Sequence, residues 1–394
     1  MTTPAQEAPR TPLLTGERVR SAVWQSLLLA ALVWLAWSAI ENAARNMRAR
    51  GIPTNFDFWN RTAGFDINTS LIPFSAANNT YGDAFFVGLL NTLLVAACGV
   101  VMATIIGFLI GIARLSSNWM VARLAGGYVE IIRNTPLLLQ LLFWYNAVLA
   151  PLPGPRQSLS LPGGVWINNR GLFMPSPDFG DGAGWAGLAL LAGIIGAIVL
   201  QRVSLRRRLA TGRGLPVLLP ALLLIVALPT AVFVAFGSPV TFEYPQLRGF
   251  NFAGGARIVP EFVALLLGLA LYTAAFIAEI VRAGILSVSR GQTEAASALG
   301  FSRGLTMRLI IIPQAMRVII PPLTNQYLNL IKNSSLAVFI GYPDLVQVFA
   351  GTVLNQTGAA VQVITITMGV YLVISLITSA FMNWFNRRIA LKER

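Results

Sequence analysis

Glu279 is the one carboxylate that sits well inside an apolar stretch of this 394-residue chain; of the other acidic residues, Glu130 and Glu261 lie only at the ends of such stretches. Arg282 follows three positions later, close to the same helical face, and Tyr272 precedes it by two turns. Ionisable groups inside a bilayer cost several kcal/mol and usually face a polar interior. The three side chains therefore either line a polar path through the membrane, or form an ion pair near the cytoplasmic end that satisfies itself. A second set pairs Arg133 with Gln140, seven apart on one face, with Thr135-Pro136 where that helix begins. It reads as path-lining, with Arg133 snorkelling to the headgroups as the alternative. A third set is Asn325 and Asn329, four apart on one face, beyond Pro321-Pro322. The two prolines must disturb the helix and free backbone groups. Interrupted helices near the midplane are where transporters often place binding groups, and helix-packing hydrogen bonds are the equal alternative.

Catalytic chemistry is thinly provided for. The chain has no histidine, which removes the commonest metal ligand and general base, and its single cysteine, Cys98, lies in an apolar run and has no partner for a disulfide. No nucleophile motif, metal-ligand cluster or Walker A sequence occurs, so no bound metal or cofactor is expected and any ATP hydrolysis must take place on another chain. The formal charge of +14 and pI near 11.1 could suggest nucleic acid. The positives, however, sit at the ends of apolar segments rather than on one face, which membrane orientation explains more simply.

What must position these groups follows from composition. Mean hydropathy is +0.67 and only 11% of residues are charged, whereas a soluble surface needs roughly a quarter. Lipid is the natural solvent. Long apolar runs with 35 glycines fit closely packed helices rather than the alternating strands of a barrel. About eight stretches are long enough to cross, given the ~20 helical residues this takes. They lie near Val23 to Ile40, Ala84 to Ile112, Val129 to Ala150, Trp185 to Leu200, Leu215 to Phe236, Phe262 to Leu286, Pro313 to Ile331 and Val361 to Phe385. The first, preceded by Arg18 and Arg20, exceeds the length of a signal peptide and reads as a retained helix. Alternate loops concentrate arginine, including Arg202, Arg206, Arg207, Arg208 and Arg213 in one of them, which places both termini in the cytoplasm. Arg45, Arg48, Arg50 and Arg61 run against this rule. The Gly/Pro-rich stretches 151–184 and 237–257 fall outside and read as irregular caps.

One polar segment between the sixth and seventh spans reads GQTEAASALGFSRGLTMRLIIIP from Gly291 to Pro313. Glu294, Ala295, Ala296, Ala298 and Leu299 favour a helix of about two turns. Gly300 suits its end, where positive φ is needed, and Pro313 can begin the next membrane helix.

Glu294, Ala295, Ala296, Gly300, Ile310 and Pro313 resemble the EAA signature of ABC-importer membrane subunits, with Ile312 in place of the usual leucine. The resemblance implies that Glu294 to Gly300 is a coupling helix docking in a groove of a cytoplasmic ATPase; a bland amphipathic loop helix is the alternative. Asn91-Thr92-Leu93, RNTPLLL from Arg133, AEIVRAGI from Ala278 and KNSSL from Lys332 resemble the polar-amino-acid branch over about 83–150 and 260–390. Asn134 stands where many relatives have glycine. The expected architecture is an all-α integral membrane protein with a type I permease core of five helices. It has a cytoplasmic tail 1–22, an extra helix 23–40 and a periplasmic loop 41–83. Core segments 84–150 and 260–386 flank a two-helix insertion 151–259; the second core segment contains the coupling segment 291–313, and a cytoplasmic tail 387–394 follows. It looks like the longer-loop subunit of general L-amino-acid permeases, the Aap/Bzt type.

The function this resemblance implies is translocation of L-amino acids across a bacterial inner membrane. The implied partners are an ATPase dimer carrying ATP and Mg, a periplasmic solute-binding protein and a second permease subunit, expected to be a related, shorter chain. The insertion is expected to thicken the outer face that receives the binding protein. The alternative is an ion- or proton-coupled secondary transporter, for which Glu279 is the one supporting group.

Overall fold

The computed structural model describes residues 17–389 except 50, 54, 181, 213, 238 and 239. The tail residues before 17 and after 389, with Arg50 and Arg213, lie outside the described residues. In chain order the elements are α1 (Glu17–Ala49), α2 (Tyr81–Ala113), α3 (Trp119–Asn134) and α4 (Leu137–Leu142), the last continued by π-helical turns over Phe143–Leu149. Next come β1 (Leu159–Leu161), β2 (Val165–Asn168), β3 (Gly171–Met174) and β4 (Ser176–Phe179). A hairpin of α5 (Ala183–Thr211) and α6 (Leu218–Leu222) follows, with α6 running through a π-turn into α7 (Leu228–Ala235). Beyond it lie β5 (Val240–Glu243), β6 (Gln246–Arg248), β7 (Asn251–Ala253) and β8 (Ala256–Ile258). The chain finishes with α8 (Pro260–Leu286), α9 (Arg290–Ala298), α10 (Arg303–Thr306), α11 (Ile312–Asn333), α12 (Leu354–Thr357) and α13 (Ala360–Ile389).

Among the described residues seven helical stretches are long and apolar enough to cross a membrane, and Leu137–Leu149 is a shorter apolar helix. The third expected span, Val129 to Ala150, is thus not one helix. Thr135 is extended at φ −105° and ψ 129°, because the residue before a proline is pushed out of the helical region and Pro136 has no N–H to donate.

The chain divides into two compact units, residues 1–91 with 343–377, and residues 92–342 with 378–394, so that α2 and α13 each run through both. In the smaller unit the expected external loop 41–83 is ordered around aromatic rings. Trp59 and Phe85 lie 5.2 Å apart, and each packs on Phe349, at 5.8 Å and 5.3 Å. Asn91 donates to the carbonyls of Thr69 (2.8 Å) and Pro343 (2.9 Å), and Gln362 donates to those of Pro53 and Asn55. Asp344, fully buried between two spans, caps the following helical turns by accepting from the Gln347 N–H (2.8 Å) and also accepts from the Tyr371 hydroxyl (3.2 Å).

The larger unit is built on α8, the most buried of the spans. Its apolar side chains pack against those of α2, α4 and α11. Glycines set the helix separations: a Cβ on Gly107 would lie 2.6 Å from the Cβ of Ile277, and one on Gly284 would lie 2.3 Å from Ile319. The stretches expected as irregular caps are not irregular. Strands β1, β2, β3 and β8 form an antiparallel sheet in that order, and β4–β5 and β6–β7 are two-stranded. Phe252 of β7 stacks on Phe173 (5.1 Å) and Trp166 (5.5 Å) of the sheet, giving this cap an aromatic core.

Gly107→Val forces α2 off α8 and is expected to cost about 1–3 kcal/mol, read as a lower unfolding temperature in detergent. Gly126→Ala, with open space around it, should leave stability unchanged or slightly raised. A pH effect is expected from Asp344, whose carboxyl burial pushes up to about 7 from an ordinary 3.8. The native state therefore holds this proton more tightly than the unfolded chain does. The resulting stability is full below about pH 4 and is lost as pH rises towards 7. Asp344→Asn should flatten the pH dependence of unfolding in that window; an unchanged slope would assign it to other groups.

Candidate functional site

The polar segment after α8 forms α9, an exposed helix in which only Ala296 is buried. Its end is a Schellman turn: Phe301 N–H donates to the Ala296 carbonyl and Gly300 N–H to that of Ser297, each at 3.0 Å, with Gly300 at φ +77°. This geometry gives two of the signature positions a physical reason. Ala296 is buried, which favours a small side chain there, and Gly300 must adopt a conformation that other residues resist. Glu294, Ala295 and Ala298 face outward, and the Leu299 side chain is 74% exposed, so a polar helix carries an uncovered apolar residue at its tip. Gln314 of α11 approaches Gln292 of α9 at 3.5 Å, tying the two elements together.

Pro313 lies in the first turn of α11, as expected, but it is not where helical structure resumes. Helical structure resumes at Arg303, where the Ser302 side chain caps the Leu305 N–H, and runs on through the π-turns of Met307–Ile311, which include the partly buried Ile310. Ile312 donates to Met307 five residues back. The extra residue accommodates the start of α11, where exposed Pro313 has no N–H to contribute. Nor does Pro321-Pro322 interrupt α11, which is continuous from Ile312 to Asn333. Both prolines lie on the exposed side, while Ile319, Ile320 and Leu323 are buried opposite and hold the helix together.

Glu279 is held between two guanidiniums. Arg282 donates through Nη2 to Oε1 (2.6 Å) and through Nε to Oε2 (3.2 Å), and Arg114, just beyond α2, pairs with Oε2. Tyr272 packs at a tilt against Phe276 one turn along α8, with centroids 5.0 Å apart, and Arg133 lies over the same Phe276 ring at 5.1 Å. Tyr272, Glu279 and Arg282 thus lie partly buried along one stripe of α8, with exposed Arg133 over its Phe276 ring.

Gln140 does not share a face with Arg133, because the Thr135 break puts them on separate helices. Its amide nitrogen donates to the carbonyls of Ile132 (2.9 Å) and Thr135 (3.0 Å) and so ties the broken end of α3 to α4. Asn325 and Asn329 do share a face, with Pro322 and Lys332, and all four are exposed. Among the described residues no hydrogen bond joins either asparagine to the Glu279 stripe.

Two cations escaped the sequence reading as site residues. Arg114 follows its apolar run directly, at a depth a carboxylate on a neighbouring span could match. Arg317 lies inside the apolar run of α11, with its Nε buried and unpartnered among the described residues. A lone basic residue in a span is itself the signal that could have found it. No group of three His, Cys, Asp or Glu able to hold a metal occurs among the described residues.

Residues 202–391 match the family described as binding-protein-dependent transport system inner membrane component. The chain is 50% identical over 377 residues to the general L-amino acid transport system permease protein AapQ of Rhizobium johnstonii, covering 96% of this chain and 94% of the relative. It is 50% identical over 379 residues to the putative amino-acid ABC transporter permease protein YhdX of Escherichia coli K12, covering 95% of each. Against the glutamate/glutamine/aspartate/asparagine transport system permease protein BztB of Rhodobacter capsulatus, identity is 44% over 401 residues, covering 93% and 92%. Near-complete coverage in both directions means that the extra amino-terminal helix and the insertion are shared with these relatives, and the chain belongs to the family of permease subunits of binding-protein-dependent ABC transport systems.

Proposed function

We propose that this permease subunit carries L-amino acids inward across the inner membrane. It pairs with a second, related and shorter permease chain so that the path lies between them, and both termini are cytoplasmic. The substrate class rests on the names of the relatives. The mechanism rests chiefly on one observation: α9 is a short helix with a locked end and an exposed Leu299, joined directly to the two most closely packed spans.

In this reading α9, through Glu294, Ala295, Ala296 and Gly300, docks in a groove of an ATPase that binds ATP and Mg. Ile310 and Pro313 shape the turn that returns the chain to the membrane. ATP-driven closure of the ATPase pair displaces α9. Because α9 is followed by a rigid turn and bonded to α11, the displacement passes to α8 and α11 rather than dissipating in a loop. Exposed Asn325 and Asn329 offer amide groups to the zwitterion on the face left uncovered in this single chain. The Tyr272–Glu279 stripe, with Arg133 and Arg282, provides polar lining, whereas Gln140 supports the α3–α4 joint. The β cap at 151–180 and 240–258 forms part of the outer face that receives the solute-binding protein.

Gly300→Asp forces a side chain into a left-handed position at a cost of about 1–2 kcal/mol and sets a carboxylate at the docking tip. Amino-acid-stimulated ATP hydrolysis and uptake should both be lost while the chain still inserts at normal levels. Uptake that persists without any ATPase and follows an ion gradient would overturn the coupling. Asn325→Leu with Asn329→Leu should reduce uptake with the ATPase still bound to the complex; unimpaired uptake would remove these residues from the path.

A further inference from the structure

The hairpin of α5 and α6 ends in a cluster of arginines for which transport coupling has no use. Arg202, Arg206, Arg207 and Arg208 are four of the seven residues 202–208 of α5, with Arg213 just beyond, and no Asp or Glu occurs anywhere from 183 to 242. All four arginines within α5 are exposed, and among the described residues none is engaged in an ion pair, a hydrogen bond through its side chain or a ring contact. Their depth is fixed by the helix itself. The uninterrupted apolar stretch 183–200 rises about 27 Å at 1.5 Å per residue, close to the thickness of the hydrocarbon core, so the arginines emerge at headgroup level.

The tip is also built rather than loose. Gly212 ends α5 at φ +73°, and the chain returns at once: Ser204 Oγ donates to the Leu215 carbonyl and accepts from the Leu215 N–H, both at 3.0 Å. Higher in the hairpin, Gly193 lets the Leu224 carbonyl approach so closely that a Cβ would lie 2.0 Å from it. The two helices are therefore zipped together, and the guanidiniums are carried on a fixed end.

What such an end fits is indicated by the residues between the arginines. Val203, Leu205 and Leu209 are themselves exposed, Leu209 to 80%. An acidic protein surface would leave these apolar side chains uncovered or poorly matched. A membrane interface takes both kinds at once, with aliphatic groups dipping among acyl chains and guanidiniums reaching the phosphates. Arginine, rather than lysine, binds a phosphate through two parallel N–H donors. We propose that the arginine-bearing tip of the α5–α6 hairpin is a binding site for the headgroups of anionic phospholipids, holding the insertion at a fixed depth and rotation in the membrane. Clustered basic residues directly beyond a span have this affinity in general. Here the folded-back turn and the absence of any acidic residue leave it unopposed. The proposal needs only that α5 spans the membrane, and it stands apart from the substrate and coupling assignments.

The test is native mass spectrometry of the complete permease–ATPase complex extracted from vesicles of equal phosphatidylglycerol and phosphatidylcholine. The native complex should retain the anionic lipid over the neutral one by about fivefold per engaged arginine. R206Q/R207Q/R208Q, which keeps Arg202 and Arg213 to orient the hairpin, should fall towards parity. R206K/R207K/R208K, which preserves the charge and hence the insertion, should fall in between. Inorganic phosphate added at the headgroup concentration should leave retention unchanged. Equal retention in the native and glutamine forms would overturn the proposal, as would a lysine form equal to native or displacement of the lipid by free phosphate. A glutamine form that keeps its lipid but sheds the ATPase would overturn it too, and would assign the arginines to a protein contact.

Discussion

The larger unit depends on how closely other helices approach α8. In lipid there is little hydrophobic gain from bringing helices together, so association relies on contact and on small residues that let backbones meet. Gly107 and Gly111 of α2 lie against Ile277 and Val281, and Gly284 of α8 lies against Ile319 of α11. With no Cβ at these points, three helices share one packed seam that ends where α9 begins. A looser seam would still span the membrane. It would not carry a displacement of α9 into α8 and α11 as a single movement, because a gap of even half an ångström forfeits much of the contact energy.

The ionic group at the end of this seam belongs to the same logic. Glu279 accepts from Arg282 on its own helix and from Arg114 beyond α2, so the carboxylate joins the two helices that the glycines bring together. The stripe it terminates is cationic overall, with one carboxylate among Arg114, Arg133 and Arg282. Removing Glu279 would leave two guanidiniums facing each other in a partly dehydrated place. This group is therefore at once a fastener between helices and the polar end of the candidate path.

Much of this was legible in the sequence, for physical reasons that differ from element to element. The spans were legible because about 20 apolar residues in a row have few other uses, and α9 because alanine and glutamate favour a helix while Gly300 marks its end. The β cap was not, since its strands are only three or four residues long and their Gly- and Pro-rich surroundings look like loop. The Arg114–Glu279 pair is separated by 165 positions, and no local pattern reveals it. Proline misled in both directions. Pro136 broke a helix that hydropathy had drawn as continuous, whereas Pro321-Pro322 was carried within a helix secured by its buried face. The difference lies in the neighbours: Thr135 can extend because the Gln140 amide meets the carbonyls this leaves exposed, while α11 is pinned by Ile319, Ile320 and Leu323.

The π-turns at Met307–Ile311 have a geometric consequence for evolution of the chain. Each such turn accommodates one residue more than an α-helix would, and one residue corresponds to about 100° of rotation. The stretch from Gly300 to Pro313 thus acts as an angular setting between α9 and the asparagine-bearing face of α11. A single deletion there can be absorbed by closing a π-turn into regular α-form, which leaves Asn325 and Asn329 at nearly the same angle about the axis; a change in length that no π-turn absorbs would swing that face by about 100°. The π-turns are then a reserve of phase, able to give up a residue between the glycine and the proline without turning the asparagine-bearing face away.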